Sequence, residues 1–155
     1  MYNTVLLAVA LQRWDRYSTH ALAARDLAAF IARSTSRRLH VFSAYDYDYM
    51  RATQVPPRMA AQVLDEHRRR TDKLLEQKMA DFIAPLKEEG LEVTEILQIG
   101  NPREIIVQFA SDIEADLLII GSHSKRGILD IALGGTAQSV SRRAPCTVVL
   151  VSPKT

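Results

Sequence analysis

Asp116-Leu-Leu-Ile-Ile-Gly-Ser-His-Ser-Lys-Arg-Gly-Ile-Leu-Asp-Ile-Ala-Leu-Gly-Gly-Thr-Ala-Gln-Ser-Val140 joins an apolar strand to a glycine-bearing loop and then to a helix. Four of the chain's six glycines, Gly121, Gly127, Gly134 and Gly135, fall inside it. Glycine admits positive φ and lets a ligand approach the backbone with no Cβ in the way. A strand that ends in a Gly/Ser/Thr loop and opens a helix presents N–H donors at a positive helix end, which suits a phosphate. The simpler reading is that Gly121 ends a strand and Gly134 precedes a helix.

Working outward, strands and helices alternate. Thr4 to Ala10 is a continuous apolar run suited to a strand covered on both faces. Ala24, Leu27, Ala28 and Ile31 recur at helical spacing, which predicts a helix over residues 19–34. Leu39 to Tyr45 is a second strand, followed by a polar stretch from Asp46 to Pro57 in which Asp46 and Asp48 read as solvated. Leu64, Thr71, Leu75, Met79, Phe82 and Leu86 mark a long helix that ends near Gly90, and Leu91 to Ile99 is a less buried strand. Gly100-Asn-Pro102 turns the chain into a helix carrying Ile105, Ile106, Phe109 and Ile113. The fourth strand is Asp116 to Ile120, a short helix spans Thr136 to Arg143, and a last strand spans Thr147 to Val151. Five strands separated by helices imply an open parallel α/β sheet with helices on both faces, built as one domain over residues 1–155. Ligands of such sheets bind outside the carboxyl ends of the strands, where strand order reverses.

Composition narrows the function. Apolar residues make up 47% and charged residues 25%, an ordinary globular balance. Twenty basic against eighteen acidic side chains leave a net charge of +2, too little to recruit nucleic acid. The basic run His67 to Arg70 is bordered by Asp65, Glu66 and Asp72 and reads as a solvated helix face. A single cysteine, Cys146, excludes an internal disulfide and a cysteine metal cage. No secretory leader is visible, and no apolar run approaches the roughly 20 residues that span a bilayer. A cytoplasmic protein without membrane association is expected.

Several common uses of a parallel sheet fail on particular residues. A dinucleotide fold carries its glycines after the first strand, where this chain reads Ala10-Leu-Gln-Arg-Trp-Asp15. A Walker loop needs Lys and Ser/Thr after its last glycine, but Gly127 is followed by Ile128 and Leu129. Ser122 and His123 are sequence neighbours without the G-x-S-x-G elbow that would present a nucleophile to a base.

The whole chain resembles the universal stress protein family. Gly100-Asn-Pro102, Ala115-Asp-Leu-Leu-Ile-Ile-Gly-Ser-His123 and the close Arg143-Ala-Pro-Cys-Thr-Val-Val-Leu-Val151 carry the resemblance. It implies an adenine-nucleotide α-hydrolase-like sheet with strand order 3-2-1-4-5, a homodimer formed through Thr147 to Val151, and ATP or AMP bound in the loop after the fourth strand. Magnesium would enter only with the nucleotide. The family's G-x2-G-x9-G-(Ser/Thr) pattern maps onto Gly121, Ser124, Gly134 and Gly135, with Thr136 one step later and nine residues from Lys125 to Leu133 in between. Ser122, His123 and Gly127 lie in the same loop. The family's adenine-side Asp aligns with Ala10, with Asp15 nearby, and the aliphatic position flanking the base aligns with Ala44.

These departures weaken the base anchor and keep the phosphate loop. The expected function is a non-enzymatic stress-response protein that holds an adenine nucleotide, with weak ATP hydrolysis left open. The alternative is a member that binds no nucleotide and acts through protein contacts. If Gly121 serves ligand approach, Gly121→Val should abolish binding and spare the fold; if it serves strand termination, the fold should suffer. Val149→Pro is expected to remove a backbone donor from the edge strand.

Overall fold

The computed structural model describes residues 3–12, 17–35, 38–47, 57–122 and 134–152. In chain order the elements are β1 (Thr4–Ala8), α1 (Thr19–Thr35), β2 (Arg38–Tyr45), α2 (Pro57–Glu88), β3 (Val93–Ile99), α3 (Pro102–Asp112), β4 (Leu117–Gly121), α4 (Gly135–Arg143) and β5 (Thr147–Val151). The five strands form one parallel sheet in the order β3-β2-β1-β4-β5, as expected.

Strand alternation sorts the core into two layers. Val5, Leu7, Leu39, Val41, Leu117 and Ile119 face α1 and α2, where Ala24, Ala28, Leu75, Met79 and Phe82 cover them. Leu6, Ala8, Phe42, Leu118 and Ile120 face the other side, beneath Ile106 and Ala110 of α3 and Ala137 and Val140 of α4. The buried residues of α1 are all alanines, Ala21, Ala24, Ala28, Ala29 and Ala32. Because both faces are covered, β1 and β4 need apolar residues at nearly every position, which is what their sequences supply.

Two boundaries differ from expectation by two residues, each for a visible reason. β1 ends at Ala8: Val9 N still donates to Phe42 O at 2.9 Å, but Leu11 N turns to the Ser43 hydroxyl at 3.4 Å. Ala10 therefore lies past the strand, and it is exposed. Leu91 is not a strand residue, because its N–H caps α2 on Leu86 O while Gly90 takes φ +81°. Helix α2 begins at Pro57, the end of the expected polar loop; residues 48–56 lie outside the described residues.

The expected role of Val149 is corrected as well. Ser122 N donates to Val151 O, so Val151 and Val149 turn their peptide groups toward β4. The outward-facing donors of this edge belong to Val148 and Leu150.

The reversal of strand order falls between β1 and β4. Their carboxyl ends open onto the crevice that this topology offers to a ligand.

Candidate functional site

Helices α1, α3 and α4 all begin at this edge of the sheet, and their first turns are finished differently. Ser18 Oγ accepts from Ala21 N at 3.1 Å and caps α1. Asn101 Oδ1 accepts from Arg103 N at 3.0 Å and caps α3, with Pro102 at the first helical position. The turn before it needs a glycine: Gly100 sits at φ +150°, and a Cβ there would meet Ile105 Cγ2 at 2.9 Å. Helix α4 is preceded by Gly134 and has no side-chain cap. Its first N–H groups keep their donor capacity and the positive end of the helix dipole.

A cation stands at the same place. Helices α3 and α4 pack side by side, and Arg143 Nη1 donates to Arg103 O at 3.5 Å. A Cβ on Gly135 would lie 2.5 Å from Arg103 Nη2 and 3.4 Å from its Cζ, so the guanidinium rests on the first residue of α4. Among the described residues no carboxylate pairs with that guanidinium. A positive side chain on a positive helix end is unfavourable until an anion joins them.

The glycine at the end of β4 has a packing task. A Cβ on Gly121 would lie 3.0 Å from His20 Cβ and 3.2 Å from the His20 carbonyl carbon and oxygen. Its bareness lets the first turn of α1 sit flush on β4. Ser122 is buried, donates its N–H to Val151 O at 2.9 Å, and shares a 3.1 Å hydroxyl contact with Ser152 Oγ. Its side chain is directed to β5. Ala44 is half-buried and packs on the core layer below α3, and Thr136 is half-buried in the first turn of α4. His123, Ser124, Gly127 and Asp15 lie outside the described residues.

On the far side of the crevice, α2 holds the ends of β1 and β2. Lys78 Nζ donates to Leu11 O at 3.1 Å. Tyr45 and Tyr47 both donate their hydroxyls to Asp72 Oδ1, at 2.8 and 2.7 Å. Burial pushes the Tyr45 hydroxyl far above the usual tyrosine range, and the bond to Asp72 adds to it; for Tyr47 the bond to Asp72 is the first cause. Both hydroxyls stay protonated donors at any physiological pH. The Gln12 side chain bonds the Asp46 backbone twice, Nε2 donating to O at 2.6 Å and Oε1 accepting from N at 3.0 Å.

Gln12, His20, Tyr45, Lys78 and Arg103 carry no site reading in the sequence, and Asp72, which reads there as the border of a solvated helix face, instead accepts from two tyrosines. Their partners lie up to 67 residues away, and no motif spacing announces them. The only available signal was register, which sets Gln12 opposite Asp46 once β1 and β2 are aligned.

The Cys146 thiol is half-buried and pushed up by burial, with Asp116 adding to the shift, as suits an inert side chain. Among the described residues no helix is long and apolar enough to cross a membrane, and no group of three metal-ligating side chains occurs.

Comparison with known proteins gives this geometry a family. The family model described as "Universal stress protein family" matches residues 1–152. A universal stress protein of Thermus aquaticus is 32% identical over 154 residues, covering 97% of this chain and 99% of its own. Universal stress protein MJ0577 of Methanocaldococcus jannaschii is 34% identical over 86 residues, a match to 54% of this chain that spans 53% of the relative's length. The solved structure of MJ0577 superposes with a TM-score of 0.77 at 22% identity, covering 100% of this chain and 99% of that one. An Archaeoglobus fulgidus universal stress protein in complex with dAMP gives a TM-score of 0.67 at 20% identity over 97% of this chain and 98% of that one. An Arabidopsis thaliana family protein with AMP bound gives 0.69 at 18% over 99% and 93%. With its model matched from residue 1 to residue 152, the chain belongs to the universal stress protein family.

Proposed function

We propose that this chain is a non-enzymatic, cytoplasmic stress-response protein that binds an adenine nucleotide, AMP or ATP. The phosphates would sit at the start of α4 and the base toward the carboxyl ends of β1 and β2. Magnesium would accompany the nucleotide only. The observation that carries this reading is the uncapped α4 start with the Arg103 guanidinium on Gly135. The relatives solved with AMP and dAMP support it.

Small molecules released from the purified protein, identified by mass spectrometry, and titration calorimetry with AMP and ATP test the reading directly. Absence of binding at millimolar nucleotide would overturn it. Arg103→Ala should weaken ATP about tenfold, the lower end of what a hydrogen bond to a charged group contributes, because the guanidinium is exposed. Arg103→Lys should fall between the two, since it keeps the charge and loses the planar fork. An unchanged ATP affinity in Arg103→Ala would remove the residue from the site.

A second reading, a family member acting through protein contacts without nucleotide, is favoured by Ala10, which offers no polar group to a base.

We also propose a homodimer formed edge to edge through β5, whose Val148 to Val151 are all only half-buried in the single chain. An apolar edge invites pairing with another strand. Light scattering at micromolar concentration should give twice the 17.4 kDa chain mass. Val148→Pro, which removes an outward donor, should give the monomer. A monomeric mass for the unmodified protein would end this proposal.

A further inference from the structure

Along β2, Leu39 and Val41 are buried on the side of α1 and α2, so His40, Phe42 and Ala44 face α3. Register sets His40 between Leu6 of β1 and Thr94 of β3. Phe109 of α3 closes the site: its ring stacks on Phe42 at a centroid distance of 4.8 Å and stands edge-on to the His40 ring at 6.4 Å. In this half-buried position His40 Nδ1 is enclosed and has no hydrogen-bond partner.

An enclosed nitrogen without a partner suits only one protonation state. Neutral imidazole carries a single N–H, and with that proton on Nε2 the enclosed Nδ1 is an unused acceptor. Imidazolium makes both nitrogens donors, so its Nδ1–H would be buried with nothing to receive it, which costs the full desolvation of a charged donor. The surroundings add to that cost. Leu6 and Thr94, opposite on β1 and β3, and Phe109 on α3 are uncharged. Arg38, two residues earlier on the same face of β2, is the one charge that acts on the ring, and it is positive. Glu92, just before β3, makes no ion pair with Arg38, and Asp112, beyond Phe109 on α3, is bonded by Gln108 at 2.8 Å. The Phe109 ring lies past the roughly 6 Å within which an aromatic face holds a cation. Burial first, and then Arg38, keep the His40 ring below the ordinary histidine range.

We propose that His40 is an acid-sensitive key for α3: the neutral ring seats Phe109 on β2, and the protonated ring releases that helix from the sheet. The part that moves is α3, because β2 is fixed by backbone ladders to β1 and β3, whereas α3 meets it here through the Phe109 side chain. Since α3 also carries Arg103, its release reaches the start of α4. The proposal stands apart from the nucleotide reading and needs no ligand. Its direction follows from the favoured neutral ring. The contribution of His40 to stability is present in full above about pH 6.5, the ordinary histidine value. It is lost as the pH falls below that, until the ring is protonated in the folded chain as well.

Two measurements on the full chain test it. Proton spectra follow the titration of the His40 ring. Amide hydrogen exchange, corrected for its intrinsic pH dependence, compares α3 with β1 at about pH 7.5 and about pH 5.5. On acidification the Phe109 and Ala110 amides should lose severalfold more protection than those of Leu6 and Leu7. His40→Leu, which cannot take up a proton, should remove that excess. Arg38→Gln, at an exposed position, should move the His40 titration upward and shrink the excess.

A His40 ring that titrates in the ordinary histidine range would overturn the proposal. So would equal losses in α3 and β1, or the same excess in His40→Leu. Should His40→Leu not fold, Arg38→Gln decides: a titration and an excess both unchanged from the wild type would end it.

Discussion

Gly121→Val should lower the thermal midpoint by roughly 5–10 °C, about 2–3 kcal/mol of overpacking in a domain of this size. The reason is the His20 backbone. A Cβ on Gly121 already meets the His20 carbonyl carbon and oxygen at 3.2 Å and its Cβ at 3.0 Å, before either methyl of valine is placed. Backbone cannot rotate away as a side-chain tip would, so the first turn of α1 must shift from the end of β4. Gly121→Ala should cost less, near the lower end of the overpacking range of about 1 kcal/mol. Nucleotide affinity should fall in step with stability in the two variants, since both effects arise from one displaced turn. The measurement is a pair of melting curves with matched calorimetry. A valine variant that melts with the wild type would show that α1 has room to move, and the packing role assigned to Gly121 would be lost.

How much of this was legible in the sequence depends on the range over which each signal acts. The strands were legible because β1 and β4 are covered on both faces, which demands unbroken apolar runs such as Leu117 to Ile120. Strand order was legible only through family resemblance, because periodicity carries no information about which strands neighbour one another. Gly121 stood out as a special position, yet its reason was hidden. Sequence shows that a Cβ is missing, and only the fold shows that the vacated space belongs to His20. The end of β1 was overrun by two residues because Val9 and Ala10 are apolar, whereas the ladder is ended by Ser43, on another strand. Arg103 was invisible for a similar reason. One arginine after a Gly-Asn-Pro turn carries no signal until α3 and α4 are packed side by side.

Ala10→Asp should tighten AMP about tenfold and leave ribose phosphate unchanged. A hydrogen bond to a charged group contributes ~1.5–3 kcal/mol, or roughly ten- to a hundredfold. The structure argues for the lower end, because Ala10 is exposed and lies beyond β1, where water competes with any ligand for a carboxylate. The position is nonetheless flanked by the right chemistry. Val9 still belongs to the β1–β2 ladder, and Gln12 already bonds the end of β2, so residue 10 lies in the short link between two points tied to β2. A carboxylate there would accept from the exocyclic amine of the base. Calorimetry with AMP and with ribose phosphate on the wild type and Ala10→Asp measures the gain. Equal affinities for AMP in wild type and Ala10→Asp would place the base away from β1. Failure of every variant to bind at millimolar AMP would leave the protein-contact reading as the function of this crevice.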